Sequence, residues 1–166
     1  RLRAQPGVAR HLVLEITETA LLNHDDRIAG FFTEARSLGA RIVFDDFGTG
    51  YSSLSHLARY PVDLIKLDRS FIRHIDNPAM PGTLRNHALV KAAATLCHEL
   101  NIQMVAEGIE TEGELAAVKS MGISFGQGYL FSRALPERAF RDWVGAFASR
   151  QPRHPAAQLL ERAAAL

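Results

Sequence analysis

Short apolar runs alternate along the chain with longer stretches in which apolar residues return every third or fourth position. The runs are Leu12–Glu18, Arg41–Asp46, Val62–Asp68 and Ile102–Glu107, with a weaker one at Ile123–Phe131. Between them the spacing predicts helices. Ile28, Phe31, Phe32, Ala35 and Leu38 mark one buried helical face. For that helix Asn23 serves as N-cap, Asp25 and Asp26 suit the positive end of its dipole, and Gly39 suits a left-handed turn at its end. A short helix, Leu54 to Tyr60, follows the Gly/Ser-rich loop Phe47–Ser53. A longer one from about Ala88 to Leu100 aligns Leu89, Ala93, Leu96, Cys97 and Leu100. Thr111 and Glu114 form a capping-box pattern for a helix carrying Leu115 and Val118, which Gly122 closes. Pro136 opens a last helix with Phe140, Trp143, Val144 and Phe147 turned inward. Arg73–His87, with two prolines and a glycine, reads as a surface excursion.

This alternation of strands and helices is that of an α/β protein with a parallel sheet. A closed (β/α) barrel and an open doubly wound sheet both fit it. No Gly-x-Gly-x-x-Gly follows any run, which counts against a dinucleotide cofactor, and Gly48-Thr49-Gly50 lacks the Lys-Ser/Thr of a P-loop.

Composition narrows the classes. At 166 residues and 47% hydrophobic the chain has the size and apolar content of one folded domain. Nineteen basic against eighteen acidic residues leave a formal charge of only +1, which argues against a DNA-binding protein. No apolar stretch approaches membrane-spanning length, and no secretory leader opens the chain. A lone cysteine, Cys97, fits a reducing cytoplasm, and its place on an apolar helix stripe makes it a core residue. The seven histidines have no ligand spacing.

Candidate chemistry lies at the ends of the runs. Glu15 and Glu18 end the first, Asp45 and Asp46 the second, Lys66 and Asp68 the third, and Glu107 the fourth. Parallel strands present their carboxyl ends to one side, the face that carries the active site in (β/α) barrels. Carboxylates without histidine favour hard ions such as Mg²⁺ or Mn²⁺. Adjacent Asp45 and Asp46 would both reach such ions only through a kink, for which Gly48 and Gly50 are at hand. Two ions suit in-line attack of water on a phosphodiester, with Lys66 placing the water or countering phosphoryl charge.

Five segments then stand out in order: Leu14-Glu15-Ile16-Thr17-Glu18-Thr19, Asp45-Asp46-Phe47-Gly48-Thr49-Gly50-Tyr51-Ser52-Ser53-Leu54, Ile65-Lys66-Leu67-Asp68-Arg69-Ser70-Phe71, Val105-Ala106-Glu107-Gly108-Ile109-Glu110-Thr111 and Gln127-Gly128-Tyr129-Leu130-Phe131-Ser132. Together they closely resemble the motifs of the EAL domain. The resemblance spans about Leu12 to Phe147. It implies a modified TIM (β/α) barrel and a bacterial phosphodiesterase that opens cyclic di-GMP to linear pGpG with Mg²⁺ or Mn²⁺. By that resemblance Glu15, Asp45, Asp46 and Glu107 are metal ligands, and Glu107 doubles as a candidate general base. Lys66 orients the attacking water, and Gln127 lies near it. Glu18 holds the loop Phe47, Gly48, Thr49, Gly50, Tyr51, Ser52 and Ser53, which the family uses for substrate coupling and dimerisation.

The Glu-Ala-Leu tripeptide and the strand with an asparagine ligand, both expected before Leu12, are not in the sequence, and Ala134 stands where many relatives have Pro. The expectation is therefore a partial EAL domain at 1–149, its barrel incomplete on the N-terminal side, with a peripheral Ala/Arg/Pro-rich tail at 150–166. Arg1 is read as a cut inside the fold, and the chain alone as weak or inactive. A homodimer is expected, with fused sensory or diguanylate cyclase domains in the parent and no membrane contact from this segment. The alternative is a non-catalytic cyclic di-GMP receptor or interaction module.

Overall fold

The computed structural model describes residues 6–21, 26–50 and 53–150. Asn23, Asp25, Tyr51, Ser52 and the tail from residue 151, including the helix expected near Ala156–Ala164, lie outside the described residues. The chain divides into two compact units, Arg1–Phe131 and Ser132–Leu166.

The first unit is built on five parallel strands: β1 (Val13–Thr17), β2 (Arg41–Phe47), β3 (Leu64–Leu67), β4 (Gln103–Ala106) and β5 (Phe125–Gly126). Their spatial order is their chain order, with β1 and β5 at the edges. A doubly wound sheet reverses its strand order at a switch point; this one does not. Each crossover steps to the next neighbour, as around a (β/α) barrel, and five strands make an incomplete TIM-barrel-like arc beside the usual eight.

Side-chain alternation divides the arc into two faces. Ile42, Phe44, Ile65, Leu67, Met104 and Ala106 are buried on the outer face. There they join Phe32 and Ala35 of α2 (Asp26–Ser37), Leu57 of α3 (Ser53–Arg59), Val90 and Cys97 of α5 (Thr83–Glu99) and Val118 of α6 (Glu112–Ser120) in one core. On the inner face, Val13, Glu15, Val43, Leu64, Lys66, Val105 and Gln127 line a cleft of ≈ 200 Å³.

Several sequence expectations change in detail. Two short helices, α1 (Pro6–Ala9) and α4 (Arg69–Ile72), and a 3₁₀ turn at Glu18–Leu21 add to those expected. Helix α5 starts five residues before Ala88, and its buried stripe is Thr83, Val90 and Cys97, seven residues apart, while Leu89 and Leu100 are half exposed. On α2, Phe32 is buried and Phe31 exposed. Periodicity marked the right helices and most of their inward residues, Phe32, Ala35, Ala93, Leu96, Cys97 and Val118 among them, and failed at Phe31, Leu89 and Leu100 on the margins of the faces.

The weak fifth run shrinks to two strand residues. Beyond Gly126 the chain leaves β4 for the loop after it: Gln127 O accepts from Ile109 N (3.1 Å) and Leu130 N donates to Ile109 O (3.0 Å). Gly128 permits this approach, since a Cβ there would overlap the Ile109 backbone.

In the second unit, α7 (Glu137–Arg150) stacks Phe140, Trp143 and Phe147 along its own flank, with ring centroids 6.4 and 5.1 Å apart. Phe140 is half exposed rather than turned inward. An Arg141–Glu137 pair at 2.8 Å lies one turn apart.

Candidate functional site

Strand β2 sets the geometry of the site through an irregularity that its sequence conceals. Phe44 pairs with Ile65 and Phe47 with Leu67, so β2 spends one more residue than β3 over the same rise. This is a β-bulge, and Asp46 sits in it with φ 54°. Aspartate is one of the few non-glycine residues that tolerate that left-handed region. The bulge lets neighbouring carboxylates, which a regular strand would send to opposite faces, converge. One oxygen each from Asp45, Asp46 and Glu107 lie within 4.8 Å of one another. The expected kink therefore exists, but at Asp46 itself. Gly48, with φ 95°, takes the following turn beneath the Phe71 ring, which leaves no space for a side chain.

Lys66 reaches the same point from β3. Its Nζ lies 2.9 Å from Asp45 Oδ1, 2.9 Å from Glu107 Oε1 and 3.3 Å from Glu15 Oε2. The lysine side chain is 12% exposed, against 21% for Asp45, 18% for Glu107 and 50% for Glu15. Burial would lower the pKa of this ammonium, but the hydrogen bonds and negative charges of Glu107 and Asp45 outweigh it and hold the group above the ordinary lysine range. Ionised, Glu15, Asp45, Asp46 and Glu107 set four negative charges against the single positive charge of Lys66. Asp45 and Glu107, the two half-buried members, gain most from a further cation, while Glu15 and Asp46 stay open to solvent.

Gln127 lines the cleft shared by Glu15 and Lys66, and its backbone N donates to Ala106 O at 2.9 Å, tying it beside Glu107. Glu18 opens the 3₁₀ turn after β1; its side chain lies outside the described residues. Of the loop residues, Phe47 still belongs to β2 and is buried in the core, while Gly48–Gly50 form the turn and Ser53 opens α3. Thr49 N and Oγ1 both donate to Asp46 O, at 3.3 and 2.9 Å. Asp68, grouped with the strand-end acids in the sequence, is engaged as the N-cap of α4, accepting from Ser70 N at 2.9 Å. Partial burial would raise its pKa; the hydrogen bonds from Ser70 and Arg69, with the Arg69 charge, outweigh that and hold it below the usual carboxylate range.

The capping box foreseen at Thr111 and Glu114 is present, but Glu114 exceeds its capping role. Its carboxylate is 3% exposed and accepts from Glu110 N (2.8 Å), Thr111 N (3.2 Å) and, across the fold, His74 N (2.9 Å). The local Thr-x-x-Glu signal found the residue; the contact to His74, forty positions earlier, left no trace in the sequence.

The donor set is made of carboxylate oxygens with no histidine or cysteine in the cluster, which fits a hard divalent cation. A parallel (β/α) arc with this constellation at its carboxyl ends is the architecture of metal-assisted barrel enzymes.

The chain belongs to the EAL domain family, whose sequence pattern matches residues 1–134. It is 39% identical over 137 residues to the cyclic di-GMP phosphodiesterase PdeR of Escherichia coli (strain K12), covering 82% of this chain and 20% of that protein. The EAL enzyme Bd1971, solved with cAMP and cyclic di-GMP bound, superposes with a TM-score of 0.73 at 35% identity, covering 81% of this chain and 34% of that one. BlrP1 of Klebsiella pneumoniae, solved as a manganese and cyclic di-GMP complex, gives a TM-score of 0.67 at 37% identity over 75% of this chain and 31% of that one. The chain thus spans about a fifth of the length of the curated relative and about a third of these solved chains. Among the described residues no helix is long and apolar enough to cross a membrane.

Proposed function

We propose that this segment forms the carboxyl-terminal part of the active site of a cytoplasmic EAL-type phosphodiesterase that hydrolyses cyclic di-GMP to linear pGpG with Mg²⁺ or Mn²⁺. The observation that carries the reading is the convergence of Glu15, Asp45 and Glu107 on Lys66, with Asp46 clustered beside Asp45 and Glu107, at the carboxyl ends of successive parallel strands.

Asp45, Asp46 and Glu107, with Glu15 beside them, would hold the divalent ions, whose chemistry when bound is Lewis-acid activation of water and neutralisation of phosphoryl charge. Lys66, fixed as an ammonium by its acidic neighbours, is a donor aimed at the site and orients the attacking water. Glu107 is placed to accept the proton that the water gives up. Gln127 adds an uncharged polar contact on the same cleft wall. Water adds to one phosphorus, the P–O bond to the 3′ oxygen breaks, and that oxygen leaves with a proton, giving the linear dinucleotide. Glu18 steadies the loop at 47–53, and that loop with α3 is the homodimer contact.

The relatives named for this activity and solved with this ligand support the reading. Its test is hydrolysis by the full-length protein supplied with Mn²⁺ or Mg²⁺. Release of pGpG is the expected result, and none at high enzyme concentration contradicts it. The 166-residue chain alone is expected to be weak or inactive, because the tripeptide glutamate and the asparagine ligand are not in its sequence.

A further inference from the structure

We infer that Glu114 is a positioning residue that fixes the distance between Lys66 and Glu107, an inference that rests on the proposed metal-dependent reading of the site. Glu107 opens the loop after β4, and Lys66 is the third residue of β3, whose own following segment runs through α4 into the turn at His74. The two segments are tied at their starts by the Glu107 N to Leu67 O bond, and Glu114 adds a second tie further out: Oε2 takes the Glu110 and Thr111 amides of one segment, while Oε1 takes the His74 amide of the other.

An N-terminal cap needs only the Thr111 bond. The other two place a carboxylate, 3% exposed, between two loops, where a neutral or apolar side chain would satisfy packing but not three amides. His74 is itself held in the left-handed region, φ 60°, and its carbonyl accepts from the buried Thr83 hydroxyl at 3.2 Å. Both backbone groups of His74 are therefore anchored, so it is a fixed post rather than a yielding one. From Glu110 the restraint passes through Ile109, which bonds Gln127 O, back to the cleft wall. Glu107 N in turn donates to Leu67 O at 3.1 Å, next to Lys66. Groups bonded directly to a metal ligand typically set affinity by about ten- to a hundredfold, and a support one step further out is expected at the lower end of that range.

Glu114→Gln separates this role from packing, because glutamine keeps the shape but presents an N–H₂ where either the Glu110 and Thr111 amides or the His74 amide needs an acceptor. Val118→Ala, on the same helix and in the core, is the control for simple loss of stability. Both variants and the parent are titrated with Mn²⁺ alone, followed by the electron paramagnetic resonance of free Mn²⁺, and their amide exchange is measured. The expected result is about tenfold weaker Mn²⁺ binding in Glu114→Gln, with protection lost at Glu107 and Gln127 as well as at His74, Glu110 and Thr111. Val118→Ala should lower thermal stability and leave the Mn²⁺ affinity within twofold. Unchanged affinity in Glu114→Gln, or equal weakening in Val118→Ala, overturns the proposal. A parent that takes up no Mn²⁺ defeats the metal reading instead, and the exchange data then decide alone: protection lost only at the three bonded amides overturns the positioning role.

Discussion

The two ends of the same sheet handle charge in opposite ways. At the amino ends, Asp63 stands just before β3 and every acceptor it offers is used. Oδ1 takes Arg36 at 2.8 Å, Oδ2 takes Ile42 N at 2.8 Å, and its carbonyl takes Gln103 N at 3.1 Å. One carboxylate meets one guanidinium, and the result is a lock across β2, β3 and β4. At the carboxyl ends, three carboxylates share one lysine and a fourth, Asp46, clusters with two of them. The first arrangement is balanced as it stands, whereas the second has room for a further cation. Charge balance, more than the number of acids, separates a structural cluster from a chemical one.

Substitutions at the two ends should therefore diverge. The largest effect is expected from Glu107→Gln in the full-length protein, with kcat for cyclic di-GMP lower by roughly 10²–10⁴ while the fold persists by circular dichroism. Near-normal turnover would remove Glu107 from the chemistry. Asp46→Asn sharpens the contrast further. Asparagine also tolerates the left-handed backbone, so stability should stay within about 0.5 kcal/mol. Mn²⁺ affinity should fall at least ten- to a hundredfold, roughly the loss expected even for a supporting partner. At the other end, Asp63→Asn should cost about 1–2 kcal/mol in urea unfolding and leave Mn²⁺ affinity unchanged, because it weakens a charge-assisted lock remote from the cluster.

The smallest effect concerns Asp68, whose cap on α4 is local. Its pKa is depressed in the folded chain, so its contribution is full above the unfolded carboxylate range and fades as pH falls through the folded value. Asp68→Ala should cost about 1 kcal/mol at pH 7. Parent and variant should converge as the pH falls below the folded value, as followed by thermal unfolding. A difference that persists there would mean that the side chain acts by packing instead of charge.

Much of this was legible in the sequence. Apolar runs located the five strands, the capping box located α6, and strand-end acids located the site, because each depends on residues close together in the chain. Three features were hidden. The bulge at Asp46 exists only in the register between two strands, and the sequence shows just the glycines beyond it. Asp68 looked like a further site acid because a strand end and an N-cap share one residue type; the Ser70 amide separates them. Glu114 showed its local bonds, while its contact to His74 depends on two crossovers lying side by side. Long-range geometry, not composition, is what the pattern lacks.

The central claim is that the acidic end of the arc is a cation site. Calorimetric titration of the full-length protein with Mn²⁺ in the absence of nucleotide tests it most directly, with Asp45→Asn and Asp63→Asn titrated alongside. Saturable binding that Asp45→Asn abolishes and Asp63→Asn preserves is the predicted result. No saturable binding at millimolar Mn²⁺, or binding that survives Asp45→Asn, would contradict it.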